Sequence, residues 1–378
     1  MNYKKIFADL QNLLSDPIYS IPKRQSQSDY FPAFLESKLS EYVSFYKNNL
    51  RPIVNKLPIL EDVKEPKILL HIELLSEGIN NAILDYFEGK ILTATTKFND
   101  ALKDVLYSDI KPVIELDSNN TFFRARIIQD QPFRTEDMFH VPFQLRNIVS
   151  TNRYSIPGLP ALYVGDSTYL CWEEFNRYRF RDLSFSCLSN SKKLNVISIQ
   201  RSEDFLASIC DGELLDDLIQ MLFYITLFPL TLACSICVNS AKSVFKPEYI
   251  IPQLLLQFIK DDSKLDGIKY SSTKVDYSKL VNVPAYNYVF PVKQISHEGF
   301  CPALRSIFQI TAPTSLEIEE LIENPVKQNG FIFSSFGQPT NNKPRQLNFY
   351  EGSVRGYDFT SFGYIEEKLK TRILQTLQ

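Results

Sequence analysis

The sequence predicts an α+β protein, a helical amino-terminal region leading into a mixed β core with flanking helices. Three observations carry that reading. Apolar residues recur at helical spacing through the first hundred positions. After Ser108 the texture changes to short β-branched and aromatic runs broken by proline and glycine. Finally, 44% of the 378 residues are hydrophobic and 22% charged, which suits a globular chain with a substantial core.

The helical region comes first. The stretch Leu69-Leu70-His71-Ile72-Glu73-Leu74-Leu75 opens an amphipathic pattern that continues through Ile79, Ile83, Leu84 and Phe87, with Gly89 marking its end. Segments near Met1–Leu14 and Ala33–Tyr46 have the same character and are separated by Pro22 and the serines around Ser26–Ser28. Strands are then expected at Phe122–Ile128, Leu162–Val164, Asn195–Ile199 and Tyr288–Val292. Helices are expected at Thr168–Tyr178, Glu203–Ile209, Glu213–Phe228 and Pro252–Lys260, and a terminal helix after Ile365. The loop Gly337-Gln338-Pro339-Thr340-Asn341-Asn342 interrupts the tail. This divides the chain into a helical region over 1–107, a mixed domain over 108–310 and an extension over 311–378 packed on the core.

Composition narrows the function classes. A net charge of −3 provides no global field for nucleic acid or an acidic membrane. Aromatics are abundant, 28 Phe and 20 Tyr against one Trp, which supplies large core rings and material for a ring-lined pocket. Among six cysteines only Cys234 and Cys237 are closely spaced, and they lie in an apolar run. His71, His140 and His297 cluster nowhere, so no metal site and no disulfide framework is expected. Met221–Val238 carries no charge over a length near the lower limit for a spanning helix. Pro229 and the hydroxyl residues Thr226, Thr231 and Ser235 favour instead a helix to Phe228 followed by a buried strand. No signal segment opens the chain, and a soluble cytoplasmic protein is expected.

The chemistry-bearing stretch runs from Phe122-Phe123-Arg124-Ala125-Arg126 through Asn152-Arg153-Tyr154-Ser155-Ile156-Pro157-Gly158 and Leu162-Tyr163-Val164-Gly165 to Cys171-Trp172-Glu173-Glu174. Separated arginines can hold a diphosphate through forked donors. An aromatic at a strand end can stack on a flat heterocycle. A carboxylate one strand-to-helix step later can stabilise positive charge on a sugar. Taken singly, each has an ordinary structural explanation: a salt-bridged arginine, a core tyrosine, glutamates on a helix surface.

In order, these residues resemble the RES-domain family, named for its Arg, Glu and Ser. The family shows an early-strand Arg, a second Arg before a Gly-containing turn, a Leu-Tyr strand, and a Glu about eleven residues beyond the tyrosine, the spacing of Tyr163 and Glu174. Lys246-Pro247-Glu248-Tyr249-Ile250-Ile251-Pro252-Gln253, Asp266-Gly267-Ile268-Lys269-Tyr270-Ser271-Ser272 and Asn287-Tyr288-Val289-Phe290-Pro291 extend the match over roughly residues 118–295. The resemblance implies an ADP-ribosyltransferase-like fold and an enzyme that cleaves NAD at the nicotinamide–ribose bond, as glycohydrolase or phosphorylase. NAD is then substrate rather than cofactor, and inorganic phosphate a co-substrate for the phosphorylase. It assigns catalytic roles to Glu174, Arg124 and Ser272. Arg153, Tyr163, Tyr154 and Ser271 would contact substrate, Tyr163 on the nicotinamide, and Ser271 competes with Ser272. Toxins of this family, some acting in toxin–antitoxin pairs or antiviral defence, imply an antitoxin or regulatory partner. Self-association, transfer of ADP-ribose to a macromolecule, and a non-catalytic NAD or ADP-ribose sensor stay open. In this reading Glu174 faces the pocket, and Glu173 lies on the flank of the helix.

Overall fold

The computed structural model describes residues 3–26, 29–57, 65–107, 113–129, 131–209, 214–239, 243–323, 344–348 and 353–377. Helices and a mixed set of strands make it an α+β protein, as the sequence predicts. The chain forms two compact units that interleave along the sequence. The first combines Met1–Glu115, Ser150–Leu159 and Asn195–Thr273; the second combines Leu116–Val149, Pro160–Leu194 and Lys274–Gln378. These bodies cut across the divisions 1–107, 108–310 and 311–378 suggested by sequence texture. The loop expected at Gly337–Asn342 lies outside the described residues.

In the first unit the expected helices form at Tyr3–Leu14, Phe31–Phe45 and Glu65–Phe87, and a further helix spans Ile91–Leu106. Their apolar stripes are buried as the spacing requires: Ile68, Ile72, Leu75, Ile79, Ala82 and Ile83 on one helix, Ala94, Phe98, Leu102 and Val105 on the next. Gly78 lets those two helices meet closely, because a Cβ there would stand 2.3 Å from the Ala101 Cβ. Gly89 ends the longer helix at φ +78°, a left-handed conformation natural to glycine. Strands Gly267–Ser271, Leu194–Ile199 and Val113–Leu116 lie side by side in that order. The first two are parallel, with Val196 opposite Gly267 and Ile199 opposite Tyr270.

The apolar run folds differently from its sequence expectation. A single helix, Leu214–Cys234, passes through Pro229, and the strand Ile236–Val238 follows it. A mid-helix proline removes one backbone donor and leaves the carbonyl four residues earlier without its partner. Here that carbonyl is Ile225, and the Tyr42 hydroxyl donates to it at 2.6 Å. The Tyr19 hydroxyl lies 3.2 Å from the Tyr42 oxygen and completes the relay. Burial pushes the Tyr42 phenol well above its ordinary range. A tertiary donor thus replaces the local one. This helix is long and apolar enough to cross a membrane by length and composition, but 83% of its apolar window is buried inside the protein.

The second unit is built on strands Leu374–Thr376, Phe308–Thr311, Leu183–Asn190, Thr121–Ile127, Ala161–Gly165 and Tyr286–Pro291, in that spatial order. Leu183–Asn190 is buried along its whole length and pairs antiparallel with Thr121–Ile127. Phe123, Ala125, Phe185 and Cys187 pack one sheet face against Cys171, Ile365 and Leu369. Phe122, Tyr288, Phe290 and Phe308 meet as rings on the other. The terminal helix spans Ser361–Lys370, starting before Ile365 because Thr360 caps it by accepting from the Gly363 amide. Among the described cysteines Cys171, Cys187, Cys234 and Cys301 are buried free thiols and Cys237 is a half-buried one.

Candidate active site

The residues singled out in the sequence are divided between the units: Arg124, Tyr163 and Glu174 in the second, Arg153, Tyr154, Ser271 and Ser272 in the first. In the second unit, Ala161–Gly165 runs by a short turn into the helix Thr168–Glu174. Ser167 caps that helix by accepting from the Leu170 amide. Glu366 accepts from the Thr168 amide at 2.9 Å and from its hydroxyl at 3.2 Å. A carboxylate at the positive end of the helix dipole favours this short helix.

The helix ends at Glu174 and not at Tyr178. Asn176 and Arg177 take left-handed φ values of 53° and 58°. The Asn176 amide turns back to the Glu173 carbonyl at 2.9 Å and the Arg177 amide to that of Trp172 at 3.0 Å. Adjacent helical residues diverge by about 100°, and the two glutamates separate accordingly. Glu173 is 3% exposed. It accepts from the Tyr169 hydroxyl at 2.6 Å and from Arg177 Nε at 3.0 Å. The flank position expected for it is therefore an interior one, and its basic neighbour is Arg177.

Glu174 keeps 31% of its side chain exposed. Asn287 Nδ2 donates to its Oε1 at 2.6 Å, while Lys274 Nζ lies 3.4 Å from Oε2 and donates to the Glu174 main-chain carbonyl at 2.6 Å. Asn287 stands opposite Gly165, and Val289 opposite Tyr163. Side chains alternate along a strand, so Tyr163 projects from the same sheet face as Asn287. A partly open carboxylate, fixed by an amide and an ammonium, thus shares a face with an aromatic ring. Such a carboxylate can stabilise an electron-poor sugar carbon or orient a hydroxyl.

Arg124 is tied to the Tyr163 strand through the main chain; Phe123 stands opposite Gly165, so Arg124 starts from the other sheet face. Its Nη1 donates to the Tyr163 carbonyl at 2.6 Å, a contact to the backbone rather than the ring. Its Nε is buried without a hydrogen-bond partner, as is the hydroxyl of Ser186 directly across the ladder. Burial and the neighbouring Arg126 push the Arg124 guanidinium down to about 9. A buried cation with an unused donor favours an anion beside it. His140 is buried in the same unit, its Nδ1 donating to the Val141 carbonyl at 2.8 Å and its Nε2 accepting from the Cys301 amide at 2.9 Å.

In the first unit, Arg153 Nη1 donates to the carbonyls of Cys234 at 3.1 Å and Ile236 at 2.9 Å, and lies 3.4 Å from that of Glu248. Its guanidinium carbon lies 5.2 Å from the Tyr249 ring centre. One arm of the fork expected to hold a diphosphate therefore closes the carboxyl end of Leu214–Cys234, where a cation complements the helix dipole. Tyr154, expected beside substrate, is 1% exposed and packs on Tyr270 with ring centres 4.4 Å apart. Ser155 closes the turn by accepting from the Asn152 amide and donating to the Asn152 carbonyl, both at 2.9 Å. Ser271 Oγ accepts from the Arg201 amide at 3.3 Å. Ser272, just beyond the strand, is likewise buried.

Asn287, Lys274 and Ser186 escaped the sequence reading as site residues. Asn287 carried one signal, a polar residue in an otherwise apolar strand; the other two became visible only through pairing. Among the described residues no group of three or more His, Cys, Asp or Glu could hold a metal.

No protein-family model matches the chain. No solved structure matches it either. Over 328 residues it is 33% identical to a Bacillus subtilis (strain 168) protein described as "Putative toxin YopC", an alignment covering 80% of this chain and 71% of that relative.

Proposed function

This chain belongs to the family of YopC, and on that premise we propose that it is a toxin that cleaves NAD at the nicotinamide–ribose bond. The observation that carries the reading is Glu174: a partly open carboxylate held by Asn287 and Lys274 on the sheet face from which Tyr163 projects. That pair suits a substrate whose flat ring leaves a ribose carbon. The bond from ribose C1′ to the nicotinamide nitrogen breaks with its electrons moving onto the pyridinium nitrogen, so nicotinamide departs neutral and needs no proton. Charge builds on the ribose, where Glu174 opposes it. Water then adds to C1′ and loses a proton, giving ADP-ribose; inorganic phosphate in its place gives a phosphorylated ADP-ribose. Arg124, a buried cation with an unused Nε, suits a phosphate oxygen of the substrate. The RES resemblance supports the same reading through the order of Arg124, Arg153, Tyr163, Glu174 and Ser272, with an ADP-ribosyltransferase-like fold. An enzyme that depletes NAD in the cytoplasm requires restraint, and an antitoxin or regulatory protein would provide it.

The test is incubation of the purified full chain with NAD, with and without inorganic phosphate, followed by product identification. Nicotinamide with ADP-ribose marks hydrolysis, nicotinamide with phosphorylated ADP-ribose marks phosphorolysis, and labelled protein marks transfer. Intact NAD in the presence of folded protein under all these conditions overturns the proposal.

A further inference from the structure

A cavity of about 350 Å³ lies within the first unit and uses none of the residues assigned to NAD cleavage. Strand Leu194–Ile199 supplies Ser198, and Gln200 follows it; the helix Ser202–Ser208 supplies Phe205; and Leu214–Cys234 supplies Gln220, Tyr224 and Leu227. The size falls within the range of small-molecule sites.

Three features define what would fit. No acidic or basic side chain stands among its described lining residues, so nothing in the wall would compensate a ligand's charge. Phe205 and Tyr224 are stacked, with ring centres 4.4 Å apart and planes 8° from parallel, and the Tyr224 hydroxyl fixes that ring by donating to the Gln200 carbonyl at 3.1 Å. A pre-aligned pair of rings suits a flat guest. The Ser198 hydroxyl is buried and has no hydrogen-bond partner, an arrangement that native interiors seldom leave unanswered. With the amides of Gln200 and Gln220 also in the lining, the wall offers both donors and acceptors to the edge of a ring.

We propose that this cavity binds a small neutral planar heterocycle bearing hydrogen-bonding groups on its edge, with Ser198 bonding that edge and the Phe205–Tyr224 pair packing its flat surface. The site is independent of NAD cleavage, and its occupant stabilises the first unit by mass action.

Adenine and nicotinamide serve as probes, titrated into the full chain by calorimetry, with the anions adenosine monophosphate and nicotinate as charged controls. At least one neutral probe should bind at one site per chain, and its charged counterpart should bind at least tenfold more weakly. Ser198→Ala should weaken the neutral probe about tenfold, the loss of one hydrogen bond to a buried hydroxyl. Gln220→Trp, at an exposed position on the rim, should fill the cavity and abolish binding while leaving the thermal melt and NAD cleavage unchanged. Failure of both neutral probes to bind, equal binding of the charged controls, or unchanged binding in folded Gln220→Trp protein would each overturn the proposal. Because the readout is binding and not turnover, loss of the NAD-cleavage reading would leave this result standing.

Discussion

Exchanging the two adjacent glutamates for glutamine, one at a time, separates a structural carboxylate from a chemical one. Glu173 is 3% exposed and accepts from Tyr169 and Arg177. An amide in its place presents one acceptor and two donors to two donor groups, so one of the buried contacts is lost. That costs about 1–3 kcal/mol, with the half-exposed Arg177 pair adding little after solvent screening. At roughly 2–4 °C per kcal/mol for a body of this size, Glu173→Gln should melt about 2–12 °C lower. The surviving folded protein should turn over within a few-fold of the parent. Glu174 is partly open, and its Gln variant can still accept from Asn287, so its melt should shift by less than about 2 °C. Its charge opposes the developing ribosyl cation, so kcat should fall about 10²- to 10³-fold with a small change in KM, the size typical of losing a preorganised electrostatic group. Nicotinamide release and scanning calorimetry on the same preparations measure both quantities. Turnover abolished by Glu173→Gln but intact in Glu174→Gln would refute the assignment and move the chemistry one residue back.

Three further outcomes follow from the packing. Tyr42→Phe should cost about 1–3 kcal/mol by leaving the Ile225 carbonyl unanswered; in a Pro229→Ala background, where residue 229 can bond that carbonyl itself, urea titration should show a smaller cost. Burial holds His140 down to about 4 against an ordinary 6.5. Its contribution to stability is complete above about pH 6.5 and is lost as pH falls through about 4, a span worth about 3 kcal/mol; urea midpoints measured from pH 7 to 4 should show that slope, and His140→Asn should flatten it. Gly78→Ala should destabilise the first unit despite a propensity gain of about 1 kcal/mol, because its Cβ would meet Ala101 at 2.3 Å; thermal melts should show recovery when Ala101→Gly is added.

The sequence by itself determined the features that depend on near neighbours. The helical stripe of Ile72, Leu75, Ile79 and Ile83, the switch to short strands after Ser108, and the turn from Tyr163 towards Glu174 all rest on periodicity and local backbone preference, which residues three to eleven positions apart can specify. Tertiary structure decided the rest. Pro229 reads as a breaker until Tyr42, 183 residues from Ile225, supplies the donor that keeps the helix intact. The Thr168 helix is short because Asn176 and Arg177 turn left-handed, and it is capped from Glu366. Spacing from Tyr163 singles out Glu174, but the contacts that part the two glutamates are tertiary: Tyr169 and Arg177 draw Glu173 inward, and Asn287, 113 residues beyond Glu174, holds that carboxylate on the sheet face it shares with Tyr163. Hydrogen-bond partners and burial are properties of what lies across space, and one-dimensional order does not carry them.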